Sequence, residues 1–320
     1  MKMLTWLITL GCGITGLLAQ SNNNAIFSTA EVILETSTGN IYGAITIPKH
    51  VFNSPLVIII ADSGPIDRDC NSPLGLQTNA YKMLAESLAN NGIATLRFDK
   101  RGVGKSKSAV KSESELRFET YIDDVVAWIS LLKADPRIAN IILLGHGEGS
   151  LIGMIAAEQA KAAAFISIAG VGRPADKILQ EQLRNLTPPL LDESNNILDS
   201  LKAGKTVPDV NPALFSYYRP SVQPYLISWM KYDPAKEISK LKVPILIIQG
   251  DADLQVTAQD AIMLSESKPS ATLLFLENMN HVLKVSEADI QKNLGTYKNP
   301  DLPLKPGLVN VIVSFVMPKK

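Results

Sequence analysis

Cysteine is almost missing from this chain of 320 residues: it has only Cys12 and Cys70. That excludes a disulfide framework and a cysteine-rich zinc module. Histidine is nearly as scarce, with His50, His146 and His281. None of them stands at ligand spacing from a further His, Asp or Glu pair, so no metal site and no cofactor are expected. Neither sign of charge is in excess, with 31 Lys and Arg against 31 Asp and Glu and no long block of either. A nucleic-acid partner is therefore not expected. Internal repeats are missing, and the only low-complexity tract is Ser21 to Asn24.

Long apolar runs are missing too, except at the start. Met1-Lys2-Met3 gives a short positive beginning, Leu4 to Leu18 is almost wholly apolar or small, and Ala19 precedes the polar Gln20-Ser21-Asn22. This pattern predicts a secretory signal peptide over residues 1–19, too short for a stable membrane span. The mature protein is then expected in the periplasm or outside the cell, with no membrane span after cleavage. Cys12 after Leu10-Gly11 offers lipoprotein anchoring as the alternative, although Thr9 stands where that signal has an apolar residue. Cleavage after Ala19 leaves Cys70 without a disulfide partner, so the fold must rest on its core. A hydrophobic content of 46% is enough to build one.

What remains reads as one domain over residues 25–320. Glu31 to Ser37 and Ile41 to Ile47 are strand-like runs joined by the hairpin signal Thr38-Gly39-Asn40. Leu56 to Ile60 is a continuous apolar run, the pattern of a strand buried on both faces of a parallel sheet. Helix and strand patterns then alternate: Thr78 to Asn90 (helix), Ile93 to Phe98 (strand), Glu113 to Lys133 (helix), Asn140 to Leu144 (strand), Ser150 to Ala163 (helix), Phe165 to Ala169 (strand). They resume with Val243 to Ile248, Ala258 to Ser265, Ala271 to Leu276 and a last amphipathic segment from Leu308 to Val316. Such alternation predicts an α/β fold with a mostly parallel, doubly wound sheet. Between about 172 and 241 the rhythm breaks, with helical patterns over Lys177 to Leu186 and Asn196 to Ala203, crowded prolines, and Tyr217, Tyr218, Tyr225 and Trp229. This interval is expected to be a helical cap inserted above the carboxyl edge of the sheet, or a packed helical insertion with no substrate role.

Four separated motifs stand against this frame. The first is Ala61-Asp62-Ser63-Gly64-Pro65-Ile66-Asp67-Arg68, and the second is Asp99-Lys100-Arg101-Gly102-Val103-Gly104-Lys105-Ser106. The third is Gly145-His146-Gly147-Glu148-Gly149, between a strand and a helix. The fourth is Gln249-Gly250-Asp251-Ala252-Asp253-Leu254-Gln255-Val256, followed by Asn280-His281-Val282-Leu283-Lys284. In order and spacing they resemble bacterial secreted α/β-hydrolases of the carboxylesterase and serine-aminopeptidase-like type, over about Ala30 to Val316. That group carries a GSGPxDR loop, a D-x-R-G-x-G-x-S turn and a G-H-S-E-G nucleophile elbow, which lifts a serine to the top of the sheet. The resemblance implies the α/β-hydrolase fold, with acyl or ester substrates. Here the elbow serine is replaced by Gly147.

The remaining catalytic parts are legible. A triad needs a base and a carboxylate that orients it. His281 lies in a polar turn after the last strand, and Asp253 follows the strand ending at Gln249, in the chain order that α/β-hydrolases use. Asp251 competes for the acid's place, and the resemblance favours Asp253. An oxyanion hole needs backbone N–H groups, one expected from Glu148 at the start of its helix. The resemblance takes the other from Ser63, with Gly64 as the neighbouring choice, while Pro65 has no N–H. Asp99 and Arg101 are expected to be structural, His50 a surface turn residue, and His146 a packing or hydrogen-bonding group beneath the elbow. Ser150, inside the first helical turn, is expected to pack or cap, and Cys70 to pack as a small loop residue.

Glycine tolerates the strained backbone of an elbow, so fold and chemistry separate at residue 147. The expected function is weak hydrolysis of a small ester or related acyl substrate by water that His281 and Asp253 activate. The alternatives are a non-catalytic descendant binding a small ligand or partner in the old cleft, and an active serine esterase carrying an introduced Ser-to-Gly change.

Overall fold

The computed structural model describes residues 26–287 and 289–318. The expected signal peptide at 1–19, with Cys12, lies outside them. Eight strands form the main sheet: β1 (Phe27–Thr36), β2 (Gly39–Pro48), β3 (Ser54–Ile60), β4 (Ala94–Phe98), β5 (Ile138–His146), β6 (Ala164–Ile168), β7 (Ile245–Gly250) and β8 (Thr272–Leu276). Their spatial order is β1-β2-β4-β3-β5-β6-β7-β8. The β1–β2 hairpin is antiparallel and β2 runs antiparallel to β4, whereas every pairing from β4 to β8 is parallel. This is the mostly parallel, doubly wound sheet that the alternation of strands and helices predicts, in the α/β-hydrolase fold that the resemblance implies.

The parallel strands are apolar on both faces because helices cover both faces. On one side, α2 (Phe118–Leu132), α3 (Glu148–Ala160) and α9 (Ala258–Ser267) close a core that includes Ile58, Leu143, Ile152, Phe165 and Trp128. On the other, α1 (Ala80–Asn90) and α10 (Leu308–Val316) cover Val57, Ile59, Leu144 and Ile248. Among the described residues no helix is long and apolar enough to cross a membrane.

Among the element boundaries that differ from the sequence patterns, three have a plain physical reason. The helix expected from Glu113 is a single 3-10 turn, Glu113–Glu115, then an extended link, then α2. Tertiary contacts set that start: the Ser228 hydroxyl accepts the Phe118 N–H at 2.7 Å, and Arg219 holds Glu113 at 2.8 Å. Helix α3 begins at Glu148 rather than Ser150, because Gly147 alone makes the bend. The helix expected at Asn196 opens at Pro188. There the prolines mark a first turn, where their missing N–H costs nothing, rather than an interruption.

Between β6 and β7 the chain forms α4 (Ala175–Leu183), α5 (Pro188–Lys202), α6 (Phe215–Tyr218), α7 (Gln223–Trp229) and α8 (Pro234–Lys240). Leu179, Leu183, Ile197, Leu201, Leu214 and Tyr218 give this interval a hydrophobic cluster of its own.

Candidate active site

The bend between β5 and α3 is dictated by glycine. Gly147 has φ 53° and ψ −120°, angles that a residue with a Cβ adopts only under strain. The outer glycines are required by space. A Cβ on Gly145 would strike the backbone of Gly149 and Ser150, and one on Gly149 would strike the carbonyls of Ile60 and Ala61. The bend thus packs helix α3 directly on the end of β3.

Over this bend stands His281, in the turn after β8. Its Nδ1 is 2.8 Å from Asp253 Oδ2. Asp253 is fixed in turn, its Oδ1 accepting the N–H groups of Gln255 at 2.8 Å and Val256 at 2.9 Å. Asp251 instead accepts the Asn278 N–H at 2.6 Å, on the exposed side of the turn. Of the two aspartates that competed in the sequence, only Asp253 meets the histidine.

The space between the bend and His281 is filled. Asp62, in the loop after β3, turns its carboxylate into the elbow. Its Oδ1 accepts the Glu148 N–H at 2.8 Å, and its Oδ2 lies 3.0 Å from His281 Nε2. A Cβ on Gly147 would run into that Oδ1. One carboxylate therefore covers both the position of a seryl oxygen beside the histidine and the N–H expected to serve an oxyanion. This corrects the expectation of a free Glu148 donor. Ser63, the other expected donor, is exposed beside it.

Beneath the site, the Asp62 N–H donates to the Tyr81 hydroxyl at 3.2 Å, and that hydroxyl meets His146 Nδ1 at 2.8 Å. His146 Nε2 is 2.9 Å from the His281 carbonyl. A carbonyl only accepts, so His146 carries its proton on Nε2 and takes one from Tyr81 on Nδ1, as a neutral ring. Burial and the neighbouring His281 charge push its pKa down to about 4. Asp62, His146 and His281 bring donor atoms within 4.8 Å of one another, but His146 spends both nitrogens on Tyr81 and the His281 carbonyl.

Charge defines the centre. Burial works against charge on His281, but Asp253 and Asp62 on its two nitrogens overcome this and raise its pKa to about 10. Burial likewise pushes Asp62 up, yet the His281 bond and charge, with the Glu148 N–H, hold it well below the usual carboxylate range. Asp253 is lowered in the same sense, His281 outweighing its burial. The resting site is an imidazolium clamped between two carboxylates, not a neutral base waiting for a proton.

Around it, Lys100 donates to the Asp62 carbonyl and pairs with Glu148 at 3.7 Å. Asp99 binds Arg68 at 2.7 Å, which ties two loops together, and Arg101 binds Asp124 at 2.5 Å, which ties its turn to helix α2. Ser150 is buried and spends its hydroxyl on Ser167 at 2.7 Å. Cys70 is buried, which pushes its thiol up to about 12. His50 is exposed in a turn.

Sequence reasoning missed Asp62, Tyr81 and the chain through His146. One signal was present: where the GSGPxDR pattern begins with glycine this chain has Asp62, and where the elbow has serine it has Gly147.

Comparisons with known proteins agree with the fold. The family description "serine aminopeptidase, S33" matches residues 74–228. The esterase EstD of Thermotoga maritima is 29% identical over 248 residues, which span 75% of this chain and 57% of that protein. The chain thus spans under two thirds of the curated relative it matches. Among solved structures, the ferulic acid-bound Est1E of Butyrivibrio proteoclasticus superposes with a TM-score of 0.60 at 18% identity, covering 89% of this chain and 96% of that one. The esterase domain of a Rhodothermus marinus protein gives 0.53 at 16%, covering 91% and 99%. The chain has the α/β-hydrolase fold and is similar in sequence to serine aminopeptidases and to an esterase over part of its length.

Proposed function

We propose that this cleft slowly hydrolyses small carboxylic esters or related acyl compounds with water, without a seryl acyl-enzyme. The observation that carries the reading is the position of His281, 2.8 Å from Asp253 and 3.0 Å from Asp62 at the bend of Gly147. In this arrangement the roles shift from those expected of the sequence. His281 is already protonated and serves as the acid for the leaving alcohol, while Asp62 receives the proton of the attacking water. Both features make turnover slow: Asp62 is a weak base, and its Oδ1 occupies the Glu148 N–H that a substrate oxyanion would use. Sites that lose a triad member keep roughly 10³–10⁴-fold catalysis over water through the oxyanion hole and binding, and with the Glu148 N–H occupied a smaller enhancement is expected here.

The helices between β6 and β7 are proposed as the cap that chooses the acyl group. A second reading, a ligand-binding descendant without catalysis, is favoured by the closed network in which Asp62, His281 and Asp253 satisfy one another. The third, a chance Ser-to-Gly change in an active esterase, leaves Asp62 unaccounted for. The carboxylate and the bare Gly147 fit one another.

Hydrolysis of p-nitrophenyl acetate tests the proposal. Slow turnover by the unaltered protein, lost in His281→Ala, is the expected result. Turnover unchanged in His281→Ala, or none in either, overturns it, and saturable ester binding without turnover would establish the second reading.

A further inference from the structure

We infer that Asp62 is a relocated covalent nucleophile, and that the site accepts, besides esters, substrates with a leaving group on a saturated carbon, such as an alkyl halide. The inference rests on the reading of the cleft as a hydrolytic centre and adds a second chemistry to it.

The bonds of the two carboxylate oxygens decide the substrate class. Attack on an ester carbonyl would create an oxyanion on the substrate, and the Glu148 N–H placed to hold it is already given to Asp62 Oδ1. Attack on a saturated carbon creates no oxyanion, so that engagement costs nothing. The same N–H then becomes useful in the next step. Once Oδ2 is alkylated, Oδ1 is the carbonyl oxygen of an Asp62 ester, already 2.8 Å from the donor that its tetrahedral intermediate needs. Carboxylates do serve as covalent nucleophiles, and this one is ionised and backed by fixed donors. Its side chain is largely buried, with 11% of its surface exposed, Ser63 and Gly64 beside it are exposed, and no described residue lies within 4 Å of a Cβ built on Gly64. A small substrate would approach from that side.

The steps balance. A lone pair on Asp62 Oδ2 forms the bond to carbon, and the halide leaves with the electrons of its own bond. Alkylation removes the charge of Asp62, so His281 keeps only Asp253 as a counter-ion and releases its Nε2 proton to solvent. The neutral ring then takes a proton from water as the water oxygen bonds to Asp62 Cγ. Collapse of the intermediate breaks the ester bond, and His281 returns the proton to the departing alkoxide. Asp62, left as the acid, passes its proton to His281, which restores the resting ion pair. An alkyl halide and water become an alcohol, a halide ion and a proton.

The test uses the full chain with n-butyl bromide, in water enriched in heavy oxygen, at enzyme in excess over substrate. In one turnover the butanol should carry ordinary oxygen, and the peptide containing Asp62 should gain the heavy isotope. With butyl bromide in excess instead, His281→Ala should stop at the first step, with one bromide released per chain and one butyl group on Asp62. Heavy oxygen in the first butanol and none in Asp62 would overturn the inference, as would the absence of both bromide release and adduct. Ester hydrolysis measured on the same preparation separates the two readings. If p-nitrophenyl acetate is cleaved while butyl bromide is inert, only the inference fails. If neither reacts, the hydrolytic reading fails with it.

Discussion

The carboxylate of Asp62 and a side chain at position 147 exclude one another. Asp62 Oδ1 occupies the space that a Cβ on Gly147 would enter, and its Oδ2 takes the bond to His281 Nε2 beside which an elbow serine would stand. Neither position holds the residue the resemblance gives it: a glycine stands where it has serine, an aspartate where it has glycine. This coupling makes the site testable in ways that neither residue alone would suggest.

Gly147→Ser by itself should not create a serine hydrolase. The new side chain meets the carboxylate and the strained backbone, so a stability loss of about 1–3 kcal/mol is expected. Labelling by a fluorophosphonate should be absent. Combining Gly147→Ser with Asp62→Gly removes the obstruction and frees the Glu148 N–H, so labelling at the introduced hydroxyl should appear. Labelling of the single variant as fast as of the double one would show that the two positions do not compete.

The ion cluster should govern stability at alkaline pH. His281 has a folded pKa raised from 6.5 to about 10, so its contribution is complete below pH 6.5 and is lost as pH rises towards 10. Asp62 is depressed, so its contribution is present above the ordinary carboxylate range and is lost only as pH falls below it. The two shifts describe one interaction, worth on the order of a few kcal/mol. Urea unfolding of the unaltered chain should therefore lose stability between pH 7 and 10. Asp62→Asn, which leaves His281 one carboxylate, should move the loss to lower pH. An identical pH profile in both proteins would contradict the clamped imidazolium.

Asp253 and Asp251 should separate cleanly. Asp253→Asn removes the counter-ion of His281 Nδ1 and should lower ester hydrolysis by about 10²–10⁴-fold, the range for positioned acid–base groups. Asp251→Asn loses only a turn contact to Asn278 and should leave kcat unchanged while costing about 1 kcal/mol of stability. Comparable losses of kcat in both variants would remove Asp253 from its assigned place.

Lys100 is expected to matter for stability rather than turnover alone. Its side chain and that of Glu148 are both buried, 3.7 Å apart, and burial raises the Glu148 carboxyl against the pull of Lys100. Lys100→Met strands a buried acid, a loss that typically costs about 3–5 kcal/mol. Chemical denaturation measures it, and adding Glu148→Gln should recover part of the loss.

The fold was legible where a pattern is local. Leu56 to Ile60 reads as a doubly buried strand because five consecutive apolar residues need cover on both faces, and the whole alternation to β8 follows the same logic. Pro188 and Pro189 misled because a proline looks the same whether it ends a helix or opens one, and only the following turn decides. The start of α2 depends on Ser228, which lies 110 positions away. The pairing of Asp253 with His281 was legible only because chain order and a resemblance pointed to it.

By itself the sequence determined an alternating α/β chain, a bend that lacks a hydroxyl, and a histidine and an aspartate in hydrolase order. What fills the bend was decided by tertiary structure alone. Asp62 meets Glu148 across 86 positions and His281 across 219. No periodicity carries such distances. They arise because a parallel sheet brings the ends of β3, β5, β7 and β8 to one edge, where a short carboxylate can close the gap that glycine leaves.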